Sequence, residues 1–99
     1  MDESVVERVG PVLLAGAGAD ALVAAIRDAH PDVLVIDRGA YVRVLVPDRC
    51  RVERADVERH AGVSLQWPGD LELIMPSFQG VFVVSSSSAV WEHQRREAR

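Results

Sequence analysis

Lysine is missing altogether: the eleven basic side chains of this 99-residue chain are all arginines. Against fifteen acids they leave a formal net charge of −4, which repels a phosphate backbone and argues against nucleic-acid binding as the main role. Arginine's planar fork suits bidentate carboxylate pairing at interfaces, although a codon bias would produce the same composition. Cysteine is nearly absent. Cys50 stands alone, which excludes an internal disulfide and any multi-cysteine zinc or iron–sulfur site and fits a reducing, cytoplasmic setting. Long apolar runs are missing too. The N-terminus opens on Asp2, Glu3 and Glu7 instead of a basic segment, and the later apolar run is broken by Asp20, so neither a signal peptide nor a membrane span is expected. The three histidines, His30, His60 and His93, never stand at metal-ligand spacing. The serines at 4, 64, 77 and 85–88 do not occupy the strand-to-helix elbow of a nucleophile.

What is present describes an ordinary globular domain. The 48% hydrophobic and 26% charged fractions lie near the averages for soluble proteins. A chain of this length buries roughly 60 to 70% of its unfolded surface, enough for one core. Residues 1–8 and 93–99 are polar or charged without apolar partners and are expected to be flexible, leaving a single domain over 9–92.

Pro11 to Ala15, closed by Gly16-Ala17-Gly18, reads as a strand and turn. Asp20 is the expected N-cap of a helix whose apolar stripe is Leu22, Val23, Ile26 and Ala29, ended at Pro31. Val33 to Ile36 and Tyr41 to Val46, separated by Asp37-Arg38-Gly39-Ala40, predict a hairpin. The second half repeats the order more faintly. Cys50 to Glu53 is a strand, Ala55 to Ala61 a helix closed by Gly62, and Leu71 to Met75, Gly80 to Val84 and Ala89 to Trp91 are strands. Element order thus predicts two β-α-β-β repeats. The fold class is α+β, two layers, with the helices packed against a largely antiparallel sheet.

Gly16-x-Gly18-x-x-Ala21, followed about twenty residues later by Asp37, has the layout of a dinucleotide fingerprint. A Rossmann unit needs a crossover helix after that acid, whereas Asp37 leads into a hairpin. The Asp20 carboxylate also stands where a phosphate would approach, so the glycines are read as a turn. His30 is read as a helix-end cap and Cys50 as a structural thiol. Glu53, Asp56 and Glu58 with Arg51, Arg54 and Arg59 are read as a solvated, ion-paired helix face. A small-molecule-sensing regulatory domain, binding a metabolite beside Gly16 and Gly18, is the alternative functional class.

Four segments carry a family resemblance: Val9-Gly10-Pro11, His30-Pro31-Asp32, Asp37-Arg38-Gly39-Ala40-Tyr41-Val42-Arg43 and Pro76-Ser77-Phe78-Gln79-Gly80. In this order and spacing they resemble the coupling or effector proteins of bacterial multicomponent diiron monooxygenases, those of the phenol hydroxylase, toluene monooxygenase and soluble methane monooxygenase systems. The likeness covers about residues 9–91, and Glu72 resembles the acid of the family's leucine-glutamate stretch. The linker Gln66-Trp67-Pro68-Gly69-Asp70 departs from the pattern in its tryptophan and proline.

The resemblance implies a non-enzymatic protein with no catalytic residues, no cofactor and no metal. It implies docking on the diiron hydroxylase component, where the effector alters substrate and oxygen access, raises the rate, and couples NAD(P)H-derived electrons to hydroxylation or epoxidation of a hydrocarbon. Competition with the reductase or ferredoxin for the hydroxylase is a further implication. The partner-binding residues implied are Val9, Gly10, Arg38, Tyr41, Arg43, Ser77, Phe78, Gln79 and Gly80, in an interface on the order of 1,200 to 2,000 Å².

Overall fold

The computed structural model describes residues 7–93. β1 (Arg8–Leu14) leads into α1 (Ala17–Ala29), and β2 (Leu34–Asp37) and β3 (Tyr41–Pro47) form the predicted hairpin. The second half runs β4 (Arg49–Glu53), α2 (Arg54–Ala61), α3 (Gly69–Ile74), β5 (Ser77–Gln79), β6 (Val81–Val84) and β7 (Ser88–Glu92). The strand pairings are antiparallel and form two sheets, ordered β2-β3-β1-β5 and β4-β7-β6.

Both sheets share one wiring. In the first repeat β1 pairs with β3 and β3 with β2; in the second β4 pairs with β7 and β7 with β6. The two β-α-β-β repeats expected from element order are therefore present, with α3 and β5 inserted into the second. β5 leaves its own repeat and adds to the edge of the first sheet, against β1.

One core serves both repeats. Ala19, Leu22, Ala25 and Ile26 of α1 are buried together with Val9 and Leu13 of β1, Val44 and Val46 of β3, Cys50 and Val52 of β4, and Ala89 and Trp91 of β7. Trp91 is the largest fully buried side chain, and its indole N–H finds no acceptor among the described residues. Polar contacts tie the halves further. The His30 ring Nε2, at the end of α1, lies 2.9 Å from the backbone nitrogen of Arg51 and 3.0 Å from its carbonyl oxygen. It serves one of them according to its tautomer and caps the open edge of β4. Asp28 of α1 meets His60 of α2 at 2.7 Å.

Three expectations are corrected. α1 begins about a turn earlier than Asp20, with Gly16 as its N-cap, because the buried stripe extends back to Ala19; Ala29, expected in that stripe, is exposed. The stretch expected as a strand over Leu71 to Met75 is instead α3 and its cap. Leu71-Glu72-Leu73-Ile74-Met75 satisfies both periods, and the burial decides between them. Leu71 and Met75 are buried while Leu73 is 77% exposed. Finally, Ser77–Gln79, assigned no secondary structure from sequence, is a strand.

Of the expected flexible ends, residues 1–6 and 94–99 lie outside the described residues. Arg8 already belongs to β1. The His93 amide donates to the Asp48 carbonyl at 3.2 Å, and the Asp48 amide to the Glu7 carbonyl at 2.9 Å.

The loop between α2 and α3 is held by a clamp. Arg54 and Glu58, one turn apart on α2, pair at 3.0 Å. Glu58 accepts the Leu65 amide at 2.9 Å, and Arg54 donates to the Leu65 carbonyl at 2.9 Å. The Leu65 amide first, and Arg54 second, hold the Glu58 carboxyl below its ordinary range. A folded value below the unfolded one gives stability that is complete above the usual glutamate pKa of about 4.3 and is lost as pH falls through the lower folded value. Urea unfolding from about pH 6 to about pH 3 should therefore show Glu58→Gln less stable than the parent at the upper end. The difference should shrink toward the acid end, and a constant difference would assign the effect to packing.

Candidate functional site

The strands that carry most of the implied partner-binding residues make up the first sheet, and its registry sorts them by face. Arg43 lies between Val12 of β1 and Ile36 of β2, and Val12 is also opposite Ser77. Ile36, Arg43, Val12 and Ser77 thus form one row across four strands. Tyr41 stands opposite Leu14, Leu34 opposite Leu45, and Gln79 opposite Gly10. Because successive side chains alternate, all of these belong to the face turned away from the core. Its inner counterparts Leu13, Val44 and Val46 are buried.

The outer face is apolar and uncovered. Leu14 is 47% exposed, Leu34 44% and Tyr41 41%, with Val12, Ile36 and Leu45 half-buried around Arg43. β1 and β3 read as Val-Gly-Pro-Val-Leu-Leu and Tyr-Val-Arg-Val-Leu-Val. Continuous apolar runs of this kind belong to strands covered on both faces, yet here the chain covers one. Contiguous exposed apolar surface of that sort marks interaction sites. Val12, Leu14, Leu34, Ile36 and Leu45 were not among the residues implied by resemblance, although this run was the signal that could have identified them.

The remaining implied residues serve otherwise. Val9 is fully buried and has no surface to offer a partner, which corrects its assignment. Gly10 has φ 149°, and a Cβ there would overlap the Val44 carbonyl oxygen. At Gly80, with φ 102°, a Cβ would lie 2.6 Å from the Glu92 carbonyl oxygen and 2.8 Å from Val9 Cγ1. Both glycines are required by backbone proximity. Phe78 points toward the core side, opposite Pro11. It begins an aromatic series in which Phe78 and Phe82 lie 5.5 Å apart and Phe82 stacks on Trp91 at 5.2 Å. At 42% exposure it lies outside the buried core and reaches it only through Phe82. Arg38 is exposed on the β2–β3 turn, where its amide donates to the Tyr41 carbonyl at 2.9 Å.

The other constellations resolve into structure. Asp37 Oδ1 accepts the Gly39 amide at 2.8 Å and shapes the hairpin turn. A Cβ on Gly18 would meet Ile74 Cδ1 at 3.3 Å, so this glycine lets α3 approach α1. Burial pushes the Cys50 thiol up to about 12, leaving negligible thiolate near neutrality. Among the described residues no three His, Cys, Asp or Glu side chains converge as a metal site, and no helix is long and apolar enough to cross a membrane.

Comparison with known proteins follows the same outline. The model of the MmoB/DmpM family matches residues 7–92. The alkene monooxygenase system effector subunit of Xanthobacter autotrophicus (strain ATCC BAA-1158 / Py2) is 38% identical over 96 residues, covering 95% of this chain and 91% of that protein. A chain in the solved structure of a phenol hydroxylase–regulatory protein complex has the same fold. It superposes with a TM-score of 0.75 at 16% identity, over 88% of this chain and 98% of its own.

The glycine reading makes a prediction about stability alone. Gly80→Ala should cost about 2 kcal/mol or more, from a strained φ and the displaced Val9 contact together. Ser77→Ala, on the exposed edge strand, should stay within about 0.5 kcal/mol of the parent. Urea midpoints of the two variants measure both.

Proposed function

The chain belongs to the MmoB/DmpM family, and on that basis we propose that it is the effector component of a multicomponent monooxygenase, docking on a diiron hydroxylase and regulating it without chemistry of its own. The observation that carries this reading is the alignment with an effector subunit across nearly the full length of both proteins. The matching fold in a hydroxylase–regulatory protein complex supports it further.

The docking surface we assign is the outer face of the β2-β3-β1-β5 sheet, with Arg38 at its rim. Three inter-strand gaps of about 4.8 Å span roughly 15 Å, an apolar centre around one guanidinium. Buried aromatic and arginine anchors within a polar rim are how protein interfaces concentrate their binding energy. The effector then works by population shift: it binds one hydroxylase conformation more tightly than another and favours the state that admits substrate and oxygen and accepts electrons. A reductase or ferredoxin using the same hydroxylase surface would compete with it. The single cysteine, held as a thiol, suits a cytoplasmic setting.

Steady-state hydrocarbon oxidation by a purified diiron hydroxylase and its reductase, titrated with this protein, tests the reading. Rate and product per electron should rise and saturate near one effector per active site. Arg43→Glu places an uncompensated acid in the centre of the apolar face and should weaken the stimulating interaction by about 2 kcal/mol, roughly thirtyfold, with the urea midpoint nearly unchanged. Full stimulation by a folded Arg43→Glu variant would move the interface elsewhere.

A further inference from the structure

A second apolar feature lies on the other side of the molecule from the docking sheet's outer face. Between α1, α2, α3 and the clamped loop is a half-open cavity of about 270 Å³, walled by Leu22, Val57, Leu65, Trp67, Leu71 and Ile74, with Gly18 at its edge. We propose that this cavity is a binding site for a compact, uncharged hydrocarbon of monocyclic-aromatic or short-alkene size.

Three observations support this. The polar groups at the wall are already engaged. The Trp67 indole N–H donates to the Ser85 carbonyl at 2.9 Å and so presents only its ring. The Asp70 carboxylate accepts the Gln66 amide at 2.8 Å. With its wall otherwise apolar, water held in the cavity is poorly bonded and readily displaced, and apolar cavities of about 150 Å³ already take up benzene. The remaining charge on the wall is the Asp70 carboxylate, which disfavours acids and phenolates and selects neutral ligands. Finally, the wall is fastened in place. The Arg54–Glu58 clamp fixes Leu65, and α3 is brought close by the missing side chain at Gly18. A preformed cavity binds without the ordering cost of a collapsed one.

The site does not depend on the effector reading, since it is defined by this chain alone. Its test uses the whole protein labelled with nitrogen-15. The two indole N–H signals separate the cavity from the rest of the core, because Trp67 lines it and Trp91 does not. Benzene and 1-hexene should each move the Trp67 signal saturably, with a dissociation constant on the order of 1 mM, and leave Trp91 in place. Glycerol should move neither.

Gly18→Leu fills the cavity from the α1 wall: its Cβ meets the flexible end of Ile74 at 3.3 Å, and the rest of the side chain takes up cavity volume while crowding α3. The variant should fold, with a urea midpoint lowered by the crowding against α3, and bind benzene at least tenfold more weakly. An unmoved Trp67 signal with both hydrocarbons overturns the proposal, as does unchanged binding by the folded Gly18→Leu variant. If hydrocarbons do not bind but Gly18→Leu abolishes hydroxylase stimulation, the cavity seats a side chain of the protein partner instead, and the proposal fails.

Discussion

The fold depends on how closely the backbone passes itself at Gly80. There the chain leaves β5, the edge of one sheet, and enters β6, the edge of the other. It does so against the Val9 side chain and the Glu92 carbonyl oxygen, at distances that admit no Cβ. This crossing sets the two repeats side by side. It also places Phe78, Phe82 and Trp91 in one stack that runs from the rim to the centre of the core. Gly10 does the corresponding work one strand away, where β1 comes up against β3. The bend at Gly80 therefore determines where the sheets meet, Gly10 fixes the spacing of β1 and β3 within one of them, and the buried tryptophan rests on that geometry.

The partition between buried and exposed apolar residues follows from strand alternation. On β1 and β3 the inward residues are buried against α1, while the outward ones are equally apolar and stay uncovered by this chain. A monomer's own folding does not require Leu14, Leu34 and Tyr41 to be apolar, because they are about half exposed. Their hydrophobicity gains free energy when a second surface removes them from water, by about 25 cal/mol per Å² of apolar area buried. A sheet closed by helices on one side and open on the other keeps such a face rigid and available.

The helical side is organised differently. There the apolar residues curve around a cavity, and polar groups bind the backbone around it: Arg54 and Glu58 to Leu65, Trp67 to Ser85, Asp70 to Gln66. Because these contacts are spent within the chain, the cavity wall keeps its shape while its surface remains apolar.

Much of this was legible in the chain. The β2–β3 hairpin, the helix closed by Gly62 and the doubled β-α-β-β order follow from periodicity and turn residues, which act over a few neighbouring positions. So does the exclusion of a dinucleotide site, since Asp37 leads into a turn. The identity of α3 was not legible, because Leu-Glu-Leu-Ile-Met fits a period of two as well as one of 3.6, and only packing of Leu71 and Met75 into the core selected the helix. Nor was the exposed apolar face. Val9 and Arg43 look alike as members of an implied interface, yet strand registry buries one and exposes the other. Sequence by itself determined most of the local elements, through interactions between near neighbours, and the family, through four short segments in a fixed order. The tertiary structure alone decided which side of each strand meets the core, because that depends on pairings between residues far apart in the chain, whose registry no local pattern encodes.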